Sequence, residues 1–274
     1  MAKSSFISIA NTDNTEMIYL SRSFEDVLGF SRRNWVGRAP IDLCHPKDRE
    51  GVSTVLDTCI KLQKLATLIY TRIVSATGYQ ILEVCVNYCS DIVVCSNKLL
   101  QEKDLPGIFA RTSLSDNIVT VTDNHNISVL GSPGVFQTKG KLGQVLSQTD
   151  TGPISIDPEE RICLLLDHLN SFQIKYCSSL AIPIFGCSSK ELEENSLLDY
   201  IDHDDLYDVQ EELNEVIKDQ AVSNRIDFAF VSLSGYKTEL QAFVSYTDDG
   251  LILIAKRNPE DILPTTMKND FLIC

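Results

Sequence analysis

The sequence is short of positive charge. Against 38 acidic residues it carries 24 lysines and arginines, a net charge of −14, and its longest basic run is the pair Arg32-Arg33. A surface that follows nucleic-acid phosphates or an anionic bilayer needs clustered Lys and Arg to release counterions, so this composition argues against direct binding to either. Long apolar runs are missing as well. None approaches the ~20 residues that cross a bilayer, and the N-terminus has no signal-peptide apolar core. Cys274 is the last residue, so the prenylation pattern with Cys fourth from the end is absent. Gly140-x-x-Gly143 and the other scattered glycines make neither a P-loop nor a dinucleotide fingerprint, and no Ser or Cys sits in a nucleophile elbow. The expectation is a protein that is not an enzyme, located in the cytoplasm, the nucleus or both. The nine cysteines fall mostly within apolar runs and are odd in number, which reads as buried reduced thiols rather than a disulfide framework.

What is present is a repeat. Tyr19-x-Ser21 returns as Tyr176-x-Ser178, Val27 to Ser31 returns as Ile184 to Ser188, and Gly78-Tyr79 returns as Gly235-Tyr236, each 157 residues on (176 − 19). His45 and His203 stand 158 apart, which places an insertion and a deletion between the anchors. A nearly fixed offset held over sixty residues or so means two copies of one domain.

Local patterns give the same element order in each copy. Ser5–Ala10 and Met17–Leu20 read as strands around the turn cluster Asn11 to Asn14. Ser23 is placed to cap a short helix that Gly29 ends, and Ser31 to cap the next. Val52, Val55, Leu56, Cys59 and Ile60 form one apolar helical face, followed by strands Ala66–Val74, Gln80–Tyr88 and Asp91–Cys95. The second copy repeats this: Arg161–Asp167, Phe172–Cys177, a helix with Leu206, Val209, Leu213, Val216 and Ile217 on one face, then three strands ending at Leu251–Ala255. The fold class is α+β with antiparallel sheets. Boundaries follow at 1–97 for the first domain, 98–157 for a linker with a hairpin over 118–130, 158–258 for the second domain, and 259–274 for a tail.

These residues resemble the PAS domain family. The first copy carries Tyr19, Ser21, Leu28-Gly29-Phe30-Ser31, Gly37-Arg38 and His45-Pro46-Lys47-Asp48-Arg49 of its pattern. The second departs from it, with Cys187 at the aromatic position, Glu193-Glu194 for Gly-Arg and Asp204 for the proline, and is similar to PAS domains of fungal photoreceptor-like regulators and helix-loop-helix PAS transcription factors. The resemblance implies two PAS folds, each a five-stranded antiparallel sheet with a helical belt, joined by a long linker. It further implies a signalling or transcription-regulatory role through association with a PAS-containing regulator or as a homodimer. The alternative is a sensor that holds an apolar small molecule between sheet and belt. Candidate lining residues are Val27, Leu43, Val52, Ile73 and Val84 in copy one, and Phe185, Ile201, Leu213, Phe228, Phe230, Leu240 and Leu253 in copy two. A third reading is an enzyme on a PAS-like scaffold, which loss of turnover on changing His45 or His203 would revive.

Specific cofactors are weighed against the residues. The light-sensing branch of the family places a flavin-bonding cysteine two residues after Gly-Arg; here Pro40 takes that place, and Cys44 is expected to point elsewhere, so cysteinyl-flavin photochemistry is not expected. Haem binding would need a histidine on the long helix, and neither long helix has one. Cys85, Cys89 and Cys95 lack a fourth ligand at zinc-site spacing and read as core, so no metal is assigned. Tyr79 and Tyr236, beside hairpin glycines, are either exposed partner anchors or hairpin stiffeners.

Overall fold

The structure is a computed structural model that describes residues 3–13, 15–61, 66–100, 117–121, 127–130, 159–220 and 224–258. The first sheet contains β1 (Ser5–Asn11), β2 (Met17–Leu20), β3 (Thr67–Ser75), β4 (Gly78–Cys89) and β5 (Ile92–Leu99), in the order β2-β1-β5-β4-β3 and antiparallel throughout. Between β2 and β3 run the short helix α1 (Ser23–Leu28), two 3₁₀ turns (Arg32–Asn34 and Pro40–Leu43) and the long helix α2 (Arg49–Lys61). Leu82, Val84 and Val86 of β4 turn toward these helices, where Phe24, Leu28, Val52 and Val55 meet them in one buried core.

The hairpin of β6 (Asn117–Val121) and β7 (Ile127–Leu130) adds to this sheet, with β6 parallel to β3. The sheet is therefore seven-stranded, where five strands were expected. Lys98 and Leu99, expected in the linker, belong to β5, whereas residues 101–116, 122–126 and 131–157 of the expected linker, and the tail from 259, lie outside the described residues.

The second sheet repeats the plan. It contains β8 (Arg161–Asp167), β9 (Gln173–Cys177), β10 (Asn224–Val231), β11 (Lys237–Thr247) and β12 (Gly250–Arg257), in the order β9-β8-β12-β11-β10. Helices α3 (Ala181–Phe185), α4 (Ser189–Leu192) and α5 (Leu206–Asp219) cover one face. Substituting first-copy positions for second-copy ones gives the same strand order, so the repeat in sequence is a repeat of topology.

The structure corrects the sequence alignment of the copies. His45 N–H donates to the Arg72 carbonyl at 2.8 Å, and the bond in the same place in the second copy is Asp202 N–H to the Ala229 carbonyl at 2.9 Å. Asp48 accepts from Arg72 N–H, and Asp205 accepts from Ala229 N–H. His45 thus corresponds to Asp202, not to His203, and the offset of 157 runs unbroken to the β3 hairpin. The extra residue lies in the next turn: Val74 pairs with Tyr79 across four residues, whereas Val231, its equivalent, pairs with Lys237 across five. The contacts change accordingly. In copy one the His45 and Tyr79 rings meet edge-on at 4.4 Å; in copy two Asp202 and Lys237 form an ion pair at 2.8 Å.

One glycine is fixed by a close approach. Gly250 opens β12 at φ 144°, and a Cβ there would lie 2.6 Å from the Leu166 carbonyl oxygen. Backbone strain of this kind costs about 1–3 kcal/mol. Gly250→Ala is expected to lower stability by that amount in a denaturant titration; an unchanged midpoint would show that the turn relaxes freely.

Candidate ligand cavity and association surface

The two copies use their interiors differently. In copy one an internal cavity of about 70 Å³ lies between the sheet and α2, walled by residues that include Leu43, Cys44, Val52, Ile73, Val84 and Cys95. A second space of about 160 Å³ adjoins it, sharing Ser8, Pro40, Ile41, Leu56, Val86 and Cys95 and extending past Asn11, Thr12 and Thr15. Of the five residues named from sequence in this copy, four line the first cavity; Val27 is buried in the same core but is not on the wall. Aliphatic side chains leave this space because none reaches across it.

In copy two, aromatic rings stack within the core. Phe230 stacks on Phe185 at 4.1 Å between centroids and on Tyr200 at 5.3 Å, with interplanar angles of 20° and 4°. Ile201, Leu213, Phe228, Leu240 and Leu253 join the same buried core. The Tyr200 hydroxyl donates to the Glu191 carbonyl at 2.8 Å, which satisfies the one polar end of the stack.

Cys44 does not point elsewhere, as expected from sequence; it lines the cavity. Burial pushes its thiol up to about 12, and Cys95 on the same wall is likewise raised to about 12 by burial. Both are held protonated at neutral pH and are poor nucleophiles. Cys85 and Cys89 lie on the other face of the sheet, with the interfacial core, so the three cysteines do not converge. Thr71 lines the cavity beside Cys44.

Asp48 locks the start of α2 to the sheet. Its carboxylate is buried and takes a bond from Arg72 Nε at 2.9 Å, a second from Arg72 Nη2, and a third from the Arg72 backbone. Burial pushes this carboxyl up, but the bonds and charge of Arg72 outweigh it and hold it below the ordinary range. The visible signal in sequence was an aspartate recurring at the 157 offset, Asp48 and Asp205, each four residues before a buried valine of the long helix.

The outer faces of the two sheets pack on each other. Ile7, Ile9, Leu68, Tyr70, Cys85, Cys89, Ile92 and Val94 of the first sheet share one buried cluster with Cys163, Phe243, Ile252 and Ile254 of the second. Polar contacts close its margins. Asp248 accepts from Ser4 N–H at 2.6 Å and Ser5 N–H at 2.8 Å; Asp249 accepts from Ser23 N–H at 3.0 Å, Ser23 Oγ at 2.8 Å and Lys3 Nζ at 3.0 Å. Ser23, expected to cap α1 with its own side chain, instead bonds across the interface. Arg161, fully buried, donates to the Tyr88 carbonyl at 3.1 Å and pairs with Glu159 at 2.6 Å, while Glu159 also holds Lys256 at 2.7 Å. Tyr79 stays half exposed against His45, and Tyr236 packs over Gly186, where a Cβ would lie 2.8 Å from its ring.

The family model described as PAS fold matches residues 4–92. The Period circadian protein of Drosophila pseudoobscura pseudoobscura is 23% identical over 227 residues, which is 78% of this chain and 16% of that protein. The chain therefore spans about a sixth of the length of this relative. Among solved structures, the PAS domain of the Cronobacter turicensis RpfR quorum-sensing receptor, in complex with BDSF, aligns with a TM-score of 0.33 and 13% identity, covering 36% of this chain and 95% of that one. The chromophore-binding domain of Stigmatella aurantiaca phytochrome P1 aligns with a TM-score of 0.32 and 14% identity, covering 39% and 34%. No helix among the described residues is long and apolar enough to cross a membrane. Residues 4–92, which hold β1 to β4, the helical belt and the Tyr19 to Arg49 motif, are thus the part of this chain that is similar to the PAS fold family.

Proposed function

We propose that this chain is a non-catalytic tandem-PAS signalling protein of the cytoplasm or nucleus, acting by association with a PAS-containing regulator or with a second copy of itself. In this reading residues 158–258 are a second PAS unit, 98–157 a linker and 259–274 a tail, and neither nucleic acid nor membrane is a direct partner. The observation that carries it is the repeated topology, with matched backbone bonds at His45 and Asp202 and at Asp48 and Asp205. The similarity to a Period protein supports a regulatory rather than a catalytic role. Net charge of −14 favours a basic partner surface. Affinity purification of the full chain from native extract, read by mass spectrometry, tests this: a PAS-containing protein lost when either unit is deleted supports it. Recovery of none sinks it.

A second reading rests on the cavity of copy one. Its apolar wall and adjoining space suit a small apolar molecule held without a covalent bond, and the thiols of Cys44 and Cys95 stay protonated beside it. Val84→Phe is expected to fill the cavity and abolish any rise in melting temperature that an apolar ligand gives the parent chain. A rise that survives Val84→Phe would place the ligand elsewhere.

A further inference from the structure

The cavity of copy one carries a polar group that its fold does not require. Asn97 of β5 lines the cavity and is 7% exposed. Its Nδ2 lies within bonding distance of three acceptors: Ser8 Oγ at 2.9 Å, the Cys95 carbonyl at 3.3 Å and the Phe6 carbonyl at 3.4 Å. Two of these are carbonyls, which accept and cannot donate, so the amide nitrogen is the atom that faces them. The amide oxygen Oδ1 is left without a hydrogen bond among the described residues.

Strand register shows that this polar pair is local to copy one. Ser5 and Arg161 open the first strand of their copies and pair with Lys98 and Lys256 of the last, which fixes the equivalence of the strands. Copy one then pairs Phe6 with Asn97 and Ser8 with Cys95, where copy two pairs Ile162 with Ala255 and Leu164 with Leu253. Leu164 and Ala255, in the places of Ser8 and Asn97, are fully buried. The same strands therefore pack with apolar residues at both positions. A buried amide with an unused acceptor is a cost that the architecture does not impose.

Charge narrows what can meet that acceptor. Among the described residues lining the cavity and the adjoining space there is no lysine, arginine or histidine, and the one charged group is the Asp57 carboxylate of the adjoining space. A guest bringing a carboxylate or phosphate would lose its water without gaining a cation. Size narrows it further. The 70 Å³ beside Asn97 is under half of the roughly 150 Å³ that accepts a benzene ring, so a narrow chain end suits it better than a ring. The adjoining 160 Å³ is open to the rest of such a molecule.

We propose that this cavity takes a neutral, narrow molecule whose hydroxyl donates to Asn97 Oδ1 and whose apolar body runs into the adjoining space, and that it turns away the matching carboxylate. This rests on the sensing reading and names the ligand class for it.

Three probes of nearly one size test it on the full chain at neutral pH, by calorimetric titration and melting temperature. They are 1-hexanol, its isomer methyl pentyl ether, which has the same atoms but no donor, and hexanoate. The parent is expected to bind the alcohol about tenfold more tightly than the ether, the worth of one net hydrogen bond, and hexanoate more weakly than either. In Asn97→Leu, which keeps the volume and removes the acceptor, alcohol and ether should bind alike. Equal affinity for alcohol and ether in the parent, or a preference that survives Asn97→Leu, would overturn the proposal while leaving the cavity a site for apolar molecules. Hexanoate bound as tightly as hexanol would overturn the exclusion of anions. Hexanol binding undiminished in Val84→Phe would place the alcohol outside the cavity and defeat the proposal. No heat and no rise in melting temperature from any probe, up to its solubility, would sink the sensing reading as well. Should Asn97→Leu fail to fold, Asn97→Ala takes its place, since copy two carries Ala255 at that position. Should neither fold, the ratio of alcohol to ether affinity in the parent decides.

Discussion

Phe230→Ala is expected to be among the most damaging single truncations in the second unit, costing about 3–5 kcal/mol, the range for removing a buried phenylalanine ring. Phe230 is fully buried and lies between Phe185 and Tyr200, so its loss removes both stacked contacts and opens a void that rigid rings on either side cannot close. The Tyr200 hydroxyl, bonded to the Glu191 carbonyl, holds its ring in place and works against collapse. Phe228→Asp, which puts a carboxylate into the same core, is expected to cost several kcal/mol by a different route, desolvation without a partner. Calorimetry of the full chain checks both, since the transition assigned to the second unit should fall while that of the first moves less. A loss under about 1 kcal/mol for Phe230→Ala would mean that the core refills, in the manner of a volume-conserving repacking.

Arg72→Met is expected to cost about 3 kcal/mol at neutral pH, the low end for breaking a buried pair, because Arg72 keeps a quarter of its side chain in water. Asp48 is then a buried carboxylate without its cation. Asp48→Asn/Arg72→Met should recover much of the loss, since an amide still accepts the Arg72 backbone N–H and carries no charge. The pH dependence has a definite sign. In the parent, the Asp48 carboxyl is held below its ordinary value of 3.8, so its contribution is complete above that value and is lost as pH falls through the depressed one. In Arg72→Met burial is opposed only by the backbone N–H at position 72 and by His45, so the carboxyl rises above its parent value and protonation relieves the variant first. The stability gap between parent and variant should therefore narrow as pH falls from neutral toward about 4 in urea titrations. A gap that stays constant over that interval would mean that Asp48 is not the group responsible.

The two expected losses arise from two answers to one geometric problem. Both units enclose apolar volume between a sheet and a helical belt. Copy one lines it with Leu43, Val52, Ile73 and Val84 and leaves a cavity; copy two stacks Phe185, Phe230 and Tyr200 through it. The sensing reading rests on the cavity of copy one.

Local order was legible in the sequence because its causes are local. Strand alternation in Phe228–Phe230 and Leu240–Val244, the helical apolar stripe through Val209, Leu213 and Val216, and left-handed turns at Gly29 and Gly186 are set by residues within a few positions of one another. The repeat was legible for the same reason, as one local sentence written twice. What the sequence by itself determined, then, was the element order, the α+β class and the repeat. The tertiary structure alone decided that His45 corresponds to Asp202, because that equivalence lies in the backbone bonds to Arg72 and Ala229 and not in residue identity. It also decided that Ser23 serves Asp249 rather than its own helix, that Cys44 faces a cavity, and that the two sheets close on each other. The physical reason is range: periodicity reports which face of an element is buried, but the identity of the covering surface depends on side chains more than two hundred residues away, as Ser5 and Asp248 are, and those meet only when the whole chain has folded.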